Sequence, residues 1–159
     1  MTHVTIEYVI MLPILILQIF LFPLAAGWIM NIWVDSRQTL ALEETMSHLG
    51  STIQQLYFSL NHKTISAGRA TYSPGLPPLI EDYLYSGNGT LHTVTQAGNS
   101  TKILNLQFRL LRTSIVVTSS VVLGPNVGWK PSTFMSNSAH AVISANKMVN
   151  GTIVMWFGE

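Results

Sequence analysis

From Tyr8 to Val34 the chain carries no Asp, Glu, Lys, Arg or His, and one carboxylate, Glu7, stands directly before this run. Wound as a helix at ~1.5 Å per residue, these 27 residues would reach roughly 40 Å, more than the ~30 Å hydrocarbon core of a bilayer requires. Beyond Asp35 the sequence turns polar. A chain of this kind is limited to two parts, an apolar rod and a polar head, and the rod begins with a charge.

Composition narrows the possibilities further. The 159 residues leave room for one domain plus a membrane segment, and not for two independent cores. Only 9% of residues are charged, against ~25% in an ordinary soluble domain. From Thr64 to Glu159 there are nine charged residues, so Ser, Thr, Asn, Gly and attached sugar are expected to cover the surface. A net charge of +1 without a Lys/Arg cluster argues against nucleic acid as a partner. The absence of cysteine removes disulfides, thiolate nucleophiles and Cys-based metal sites. Stability must then come from the core or from neighbouring subunits.

The rod does not read as a cleavable signal, which has a basic start and a shorter apolar stretch; here no Lys or Arg precedes Arg37. A simple signal anchor is the bland alternative, with Glu7 at the interface. The apolar pattern continues past Asp35. Leu40, Leu42, Met46, Leu49, Ile53, Leu56, Tyr57 and Leu60 recur at spacings of three and four, one stripe of a helix. Gly50 interrupts it, at about 1 kcal/mol relative to Ala. A single helix from about Thr2 to Leu60 is expected, with bends possible at Pro13, Pro23 and Gly27. Each proline removes a backbone donor and crowds the preceding turn. In lipid, the freed carbonyls need partners, which favours a packed helix over a lone one.

The stretch Thr5-Ile6-Glu7-Tyr8-Val9-Ile10-Met11-Leu12-Pro13 resembles the N-terminus of TadE-like pseudopilins, within the type IV pilin superfamily. Those proteins carry Glu, then an aromatic residue, an apolar stretch and a proline six residues after the Glu. The Glu7-Tyr8 pair is also similar to the Glu-Tyr of Flp-type pilins. The likeness covers residues 5–34. It implies that Glu7, Tyr8 and Pro13 serve assembly: Glu7 meets the N-terminal ammonium of a neighbouring subunit and sets register, while residues 8–34 form a fibre core. A carboxylate in a membrane helix is costly unless paired, at ~2.5–3.5 kcal/mol on insertion scales for Asp, Lys or Arg at mid-bilayer. Such a charge can select register as a buried polar residue does in a coiled coil. The usual fifth position for this Glu would start a mature chain at His3. No basic leader and no Gly precede that point, which leaves an already trimmed chain or insertion without standard processing.

The remainder is expected to be β-rich. Thr64 to Tyr85 reads as a loop wrapping the upper helix, with Ser73-Pro74-Gly75 and Leu76-Pro77-Pro78. Strand patterns follow at Thr90–Gln96, Lys102–Leu111, Ser114–Leu123, Ala139–Met148 and Thr152–Phe157, the last two joined at Asn150-Gly151, a hairpin signal. The expected fold is therefore α+β. A long N-terminal hydrophobic helix (1–34) continues as an amphipathic helix (35–62), packed on a head of four or five antiparallel strands (63–159).

Three sequons, at Asn88, Asn99 and Asn150, fall in what read as Gly-rich turns. Glycan there would supply the solubility that charge does not; a plain hairpin turn is the competing reading of Asn150. With the missing cysteines and the pilin-like helix, the sequons lean toward an archaeal surface protein. The five histidines, His3, His48, His62, His92 and His140, lack metal-ligand spacing. Ser119-Ser120 lacks a nucleophile-elbow context, and Glu81-Asp82 reads as a loop dipeptide with its carboxylates apart. No metal site, no cofactor and no enzyme activity are expected.

The expected function is that of a structural subunit of a type IV pilus-like surface filament, used for adhesion. Its partners would be copies of itself, the membrane before assembly, and the pilus assembly machinery. The alternatives are a single-pass, membrane-anchored extracytoplasmic binding domain, and a minor pseudopilin that primes or caps a fibre.

Overall fold

The computed structural model describes residues 2–96, 99–139 and 141–158, with side chains from residue 9 onward except those of 10, 96 and 99. The fold is α+β: among the described residues one long helix, α1 (Thr2–Asn61), precedes eight strands in two four-stranded sheets. Two compact units divide the chain at Arg37/Gln38.

In the N-terminal unit α1 runs without interruption through Pro13 and Pro23. Every described side chain from Met11 to Arg37 is exposed. The apolar residues do not gather on one face: Phe20, Phe22, Leu24, Trp28 and Trp33 are all more than half exposed. Near the end of this unit Arg37 lies over the Trp33 ring, 5.1 Å from its centroid.

In the second unit the helix changes character. Leu42, Met46, Leu49, Ile53, Tyr57 and Leu60, spaced by threes and fours, are all buried and belong to the core. Two polar residues on this face, Thr45 and Thr52, satisfy their hydroxyls within the helix by donating to the carbonyls of Ala41 and His48, at 2.8 and 2.9 Å. Gly50 has a steric reason. A Cβ there would stand 3.0 Å from Cγ2 of Val121 and 3.8 Å from Leu106, so a bare backbone lets helix and sheet approach.

The first sheet has the order β4-β3-β2-β6, from β2 (Tyr85–Gln96), β3 (Asn99–Leu110), β4 (Val116–Leu123) and β6 (Thr133–Met135). Strand β3 shows the period of two: Leu104, Leu106, Phe108 and Leu110 are fully buried while Asn105, Gln107 and Arg109 face out. The second sheet has the order β1-β7-β8-β5, from β1 (Gly68–Tyr72), β5 (Val127–Trp129), β7 (Ile143–Lys147) and β8 (Ile153–Phe157). A line of rings joins the two sheets. Tyr85 stacks on Phe108 (5.6 Å), Phe134 meets both edge-on, and Phe157 touches Phe134 (4.8 Å) and Trp129 (4.9 Å).

Three expectations are corrected. There are eight strands rather than four or five, because β1, β5 and β6 are short and lie partly outside any apolar alternation. Gly68–Tyr72, read as loop, is an edge strand that exists because β7 offers it a complete backbone partner, Gly68 opposite Lys147 through Tyr72 opposite Ile143. The sheets are not wholly antiparallel: β5 runs parallel to β8, Val127 opposite Ile153. The chain leaves β4 through Gly124-Pro125-Asn126 and enters the other sheet at β5.

The helix end is tied down by residues far away in sequence. Asn126 accepts from Tyr57 Oη (2.6 Å) and donates from Nδ2 to Asn61 Oδ1 (2.8 Å) and the Gly151 carbonyl (2.9 Å). Lys147 Nζ donates to the carbonyls of His62 (2.9 Å) and Ile65 (2.8 Å). The last turn of α1 has no basic residue of its own, so β7 supplies the cation its negative end favours.

Two predictions follow from this packing. Six buried side chains on the helix, at about 1.5–3 kcal/mol each, sum to roughly 9–18 kcal/mol, on the scale of a domain's whole stability. A chain starting at Asp35 should therefore unfold cooperatively, while one starting at Asn61 should aggregate or show no transition in calorimetry. Equal melting of the two would reduce the helix to a tether. Second, burial pushes the Tyr85 hydroxyl, which donates to the Pro77 carbonyl at 2.7 Å, up to about 12. Below pH ~10 the tyrosine is neutral in folded and unfolded chains alike. Between pH ~10 and ~12 only the unfolded chain releases the proton, so stability falls across that window. Denaturant midpoints of the wild type, measured against Tyr85→Phe, should show the wild type losing ground there.

Candidate assembly helix and head-domain sites

A helix that is apolar all round has no face of its own to keep in water. That is the condition of α1 from Met11 to Val34, which is long and apolar enough to cross a membrane. The backbone adds a second demand. Pro13 and Pro23 bring no N–H to the carbonyls one turn earlier, those of Val9 and Ile19, so each of these lacks its helical donor. Water, lipid-phase side chains or another helix must serve them. Pro13 itself is exposed. Glu7 and Tyr8 stand in α1, six and five residues before Pro13, and their side chains lie outside the described residues.

The three sequons occupy different settings. Asn88 is not in a turn. It lies within β2, paired to Gln107 of β3 on one side and Thr133 of β6 on the other, half-buried, with its Nδ2 3.5 Å from Gln107 Oε1. The glycines beside it are there for packing. A Cβ on Gly87 would meet Phe134 and Phe108, the latter at 2.8 Å, and one on Gly89 would meet the Trp129 indole at 2.8 Å. Asn99 opens β3, opposite Gln96, and its side chain lies outside the described residues. Asn150 does stand in the turn between β7 and β8. It is exposed beside Val149, which is 96% exposed, and its Oδ1 accepts from the Thr152 amide at 3.0 Å. The carboxamide is thereby oriented with Nδ2 away from that bond. The structure does not gather the three into one patch: Asn88 and Asn99 lie towards opposite ends of β2–β3, and Asn150 belongs to the other sheet.

Of the histidines, His48 reaches the Pro74 carbonyl at 3.0 Å and His62 contacts Thr64 Oγ1 at 2.7 Å, both local structural bonds. His140 and the side chain of His3 lie outside the described residues. The sequence reading missed Asn126 and Lys147, whose partners are 25 to 85 residues away and leave no local signal. It read Glu81-Asp82 as a loop dipeptide, without the conformation of its backbone. Both residues sit at positive φ, 45° and 69°, and only the structure could show that.

What the structure carries of the family likeness is its layout: a long apolar N-terminal helix whose later part packs on antiparallel sheet, compatible with a pilin-like fold. In comparisons with protein-family models, curated proteins and solved structures, nothing matches this chain.

The settings of the sequons rank them as glycan acceptors. Asn150 should carry sugar in glycopeptide mass spectrometry of protein from its natural source, and Asn88, held between two strands, should remain bare. Occupancy of Asn88 with Asn150 unmodified would reverse this ranking.

Proposed function

We propose that the chain is a structural subunit of a type IV pilus-like surface filament, built through its N-terminal helix and serving adhesion. The observation that carries this reading is the all-round exposure of apolar side chains from Met11 to Val34. These side chains must be covered by something outside the chain. Lipid can cover them before assembly, and neighbouring copies of the same helix can cover them afterwards.

Two features favour copies over lipid as the final cover. The carbonyls released by Pro13 and Pro23 gain more from a packed helix, whose side chains can donate, than from hydrocarbon. Glu7 gains a partner when a neighbour's N-terminal ammonium lies beside it, and an unpaired charge penalises wrong register. In this scheme Glu7 and Tyr8 set the register, Pro13 shapes the helix, and residues from Gln38 onward form the exterior, with sugar on the sequons. The likeness to TadE-like pseudopilins, over residues 5–34, and the archaeal lean, from the sequons, the missing cysteines and the pilin-like helix, belong to this proposal.

The second reading is a single-pass anchored domain that stays monomeric, favoured by the length of the apolar helix alone. A minor subunit that primes or caps a fibre is a variant of the first. Electron microscopy of native surface material separates the readings, since a helical fibre containing this chain is incompatible with a monomeric anchor. Glu7→Ala should insert in the membrane at normal levels but give few or no fibres. Cysteines introduced at Ile16 or Phe20 should cross-link into oligomer ladders in assembled material. Capture of monomer only, or normal fibre yield from Glu7→Ala, overturns the proposal.

A further inference from the structure

We infer that the head domain carries a binding cleft for neutral saccharide, formed by Asp82, Tyr83, Arg112 and Asn137. The cleft, about 750 Å³, lies between the turn at residues 80–83, the start of the β3–β4 loop, and the segment after β6. It stands in the head whether or not the chain polymerises.

The first observation is a mismatch between residue type and backbone. Ile80 and Tyr83 exchange two backbone bonds, 2.9 and 3.0 Å, across a two-residue turn. Both central residues, Glu81 and Asp82, have positive φ. That geometry is served without strain by Asn-Gly, whereas a Glu pays about 1–2 kcal/mol to enter it. Arg112 is also at positive φ, 65°, and among the described residues these three are the non-glycine residues in that region. Asp82 and Arg112 both line the cleft, and Glu81 lines the adjoining hollow against Thr45 and His48. Aspartate tolerates this region, so the strain that bears on the cleft is that of Arg112, which points to a side chain kept for what it does.

The second observation is that Asp82, Arg112 and Asn137, all exposed, make no bond to one another, and that backbone bonds hold the walls around them. Among the described residues, no side-chain hydrogen bond or ion pair engages Asp82, Arg112 or Asn137, although the acid and the base share one cleft. The walls are held by backbone and hydroxyl bonds. The Leu111 amide donates to the Leu84 carbonyl (2.8 Å), the Ser136 amide to the Tyr85 carbonyl (2.9 Å), and Ser136 Oγ to the Pro78 carbonyl (2.7 Å). Polar groups on a fixed apolar frame are the general composition of a ligand site.

The polar set then selects the ligand. An anion would be repelled by Asp82, and a cation by Arg112. A sugar ring presents hydroxyls that donate and accept at once, so a carboxylate, a guanidinium and an amide can all be satisfied by it without net charge. Its C–H face matches the half-buried Tyr83 ring and the side chains of Leu79, Leu84 and Leu111. A free amino acid would satisfy the same charges but fill little of such a volume, which suits two or more linked rings.

The test uses the full chain in a phosphocholine detergent, which carries no sugar. Saturation-transfer NMR and titration with lactose, maltose and cellobiose should show binding of at least one, with sialyllactose and free glutamate weaker. Arg112→Gln should weaken that binding about tenfold or more, the loss of one charged hydrogen bond. Glu81→Asn combined with Asp82→Gly should do the same while raising the melting temperature by about a few degrees, because it relieves the turn. A rise in stability with lost binding cannot come from misfolding. No binding of any of the three disaccharides, unchanged binding in both variants, or preference for the charged ligands overturns the proposal.

Discussion

The head depends on one contact, the burial of the helix stripe Leu42–Leu60 in the core shared by the two sheets. Neither sheet has a second layer of its own, and five of the eight described strands have five residues or fewer. The helix supplies the missing layer. It also helps to guard an edge. Strand β4 is an eight-residue edge without charge or proline, the kind that invites pairing with another chain. Gly50 lies against Val121, and the Gln54 side chain donates to the Val122 carbonyl at 3.3 Å, so part of that edge is occupied from within.

The same helix therefore changes character along its length. From Met11 to Val34 its apolar side chains are exposed on every side. From Gln38 they narrow to the stripe Leu42–Leu60, which finds its cover in the same chain, while Leu40, expected in that stripe, and Phe58 are more than half exposed. The change occurs around Asp35-Ser36-Arg37, where charge first returns. Stability of the head is thus carried by residues from Gln38 onward, and in the proposed filament Glu7 would act on assembly apart from the fold of the head.

The head also shows where local preference gives way. Gly87 and Gly89 sit inside a strand, which ordinarily weakens it. Here the lost side chains make room for Phe134 and Trp129, the rings that join one sheet to the other. The turn at Glu81-Asp82 moves in the opposite direction, holding long acidic side chains where glycine would be easier. In the first case the gain is packing. In the second the turn borders the inferred cleft through Asp82.

Much of this fold was legible in the residues. The long uncharged run announced the rod, and threes and fours from Leu42 to Leu60 announced the buried stripe, because helix periodicity is a local property of consecutive residues. The alternation of Leu104, Leu106, Phe108 and Leu110 announced β3 for the same reason, and Asn150-Gly151 its hairpin. The glycine-rich context of Asn88 misled, since a glycine that frees a turn and a glycine that admits a ring look alike until the ring is placed. Strand β1, the parallel pairing of β5 with β8, the junction at Asn126 and the cap from Lys147 depend on partners distant in sequence. The chain by itself determined what each segment could become, through hydrophobic period and backbone freedom. Which segments met, and therefore which polar groups were satisfied and which were left facing a cleft, was decided only when the helix and the two sheets closed on a common core.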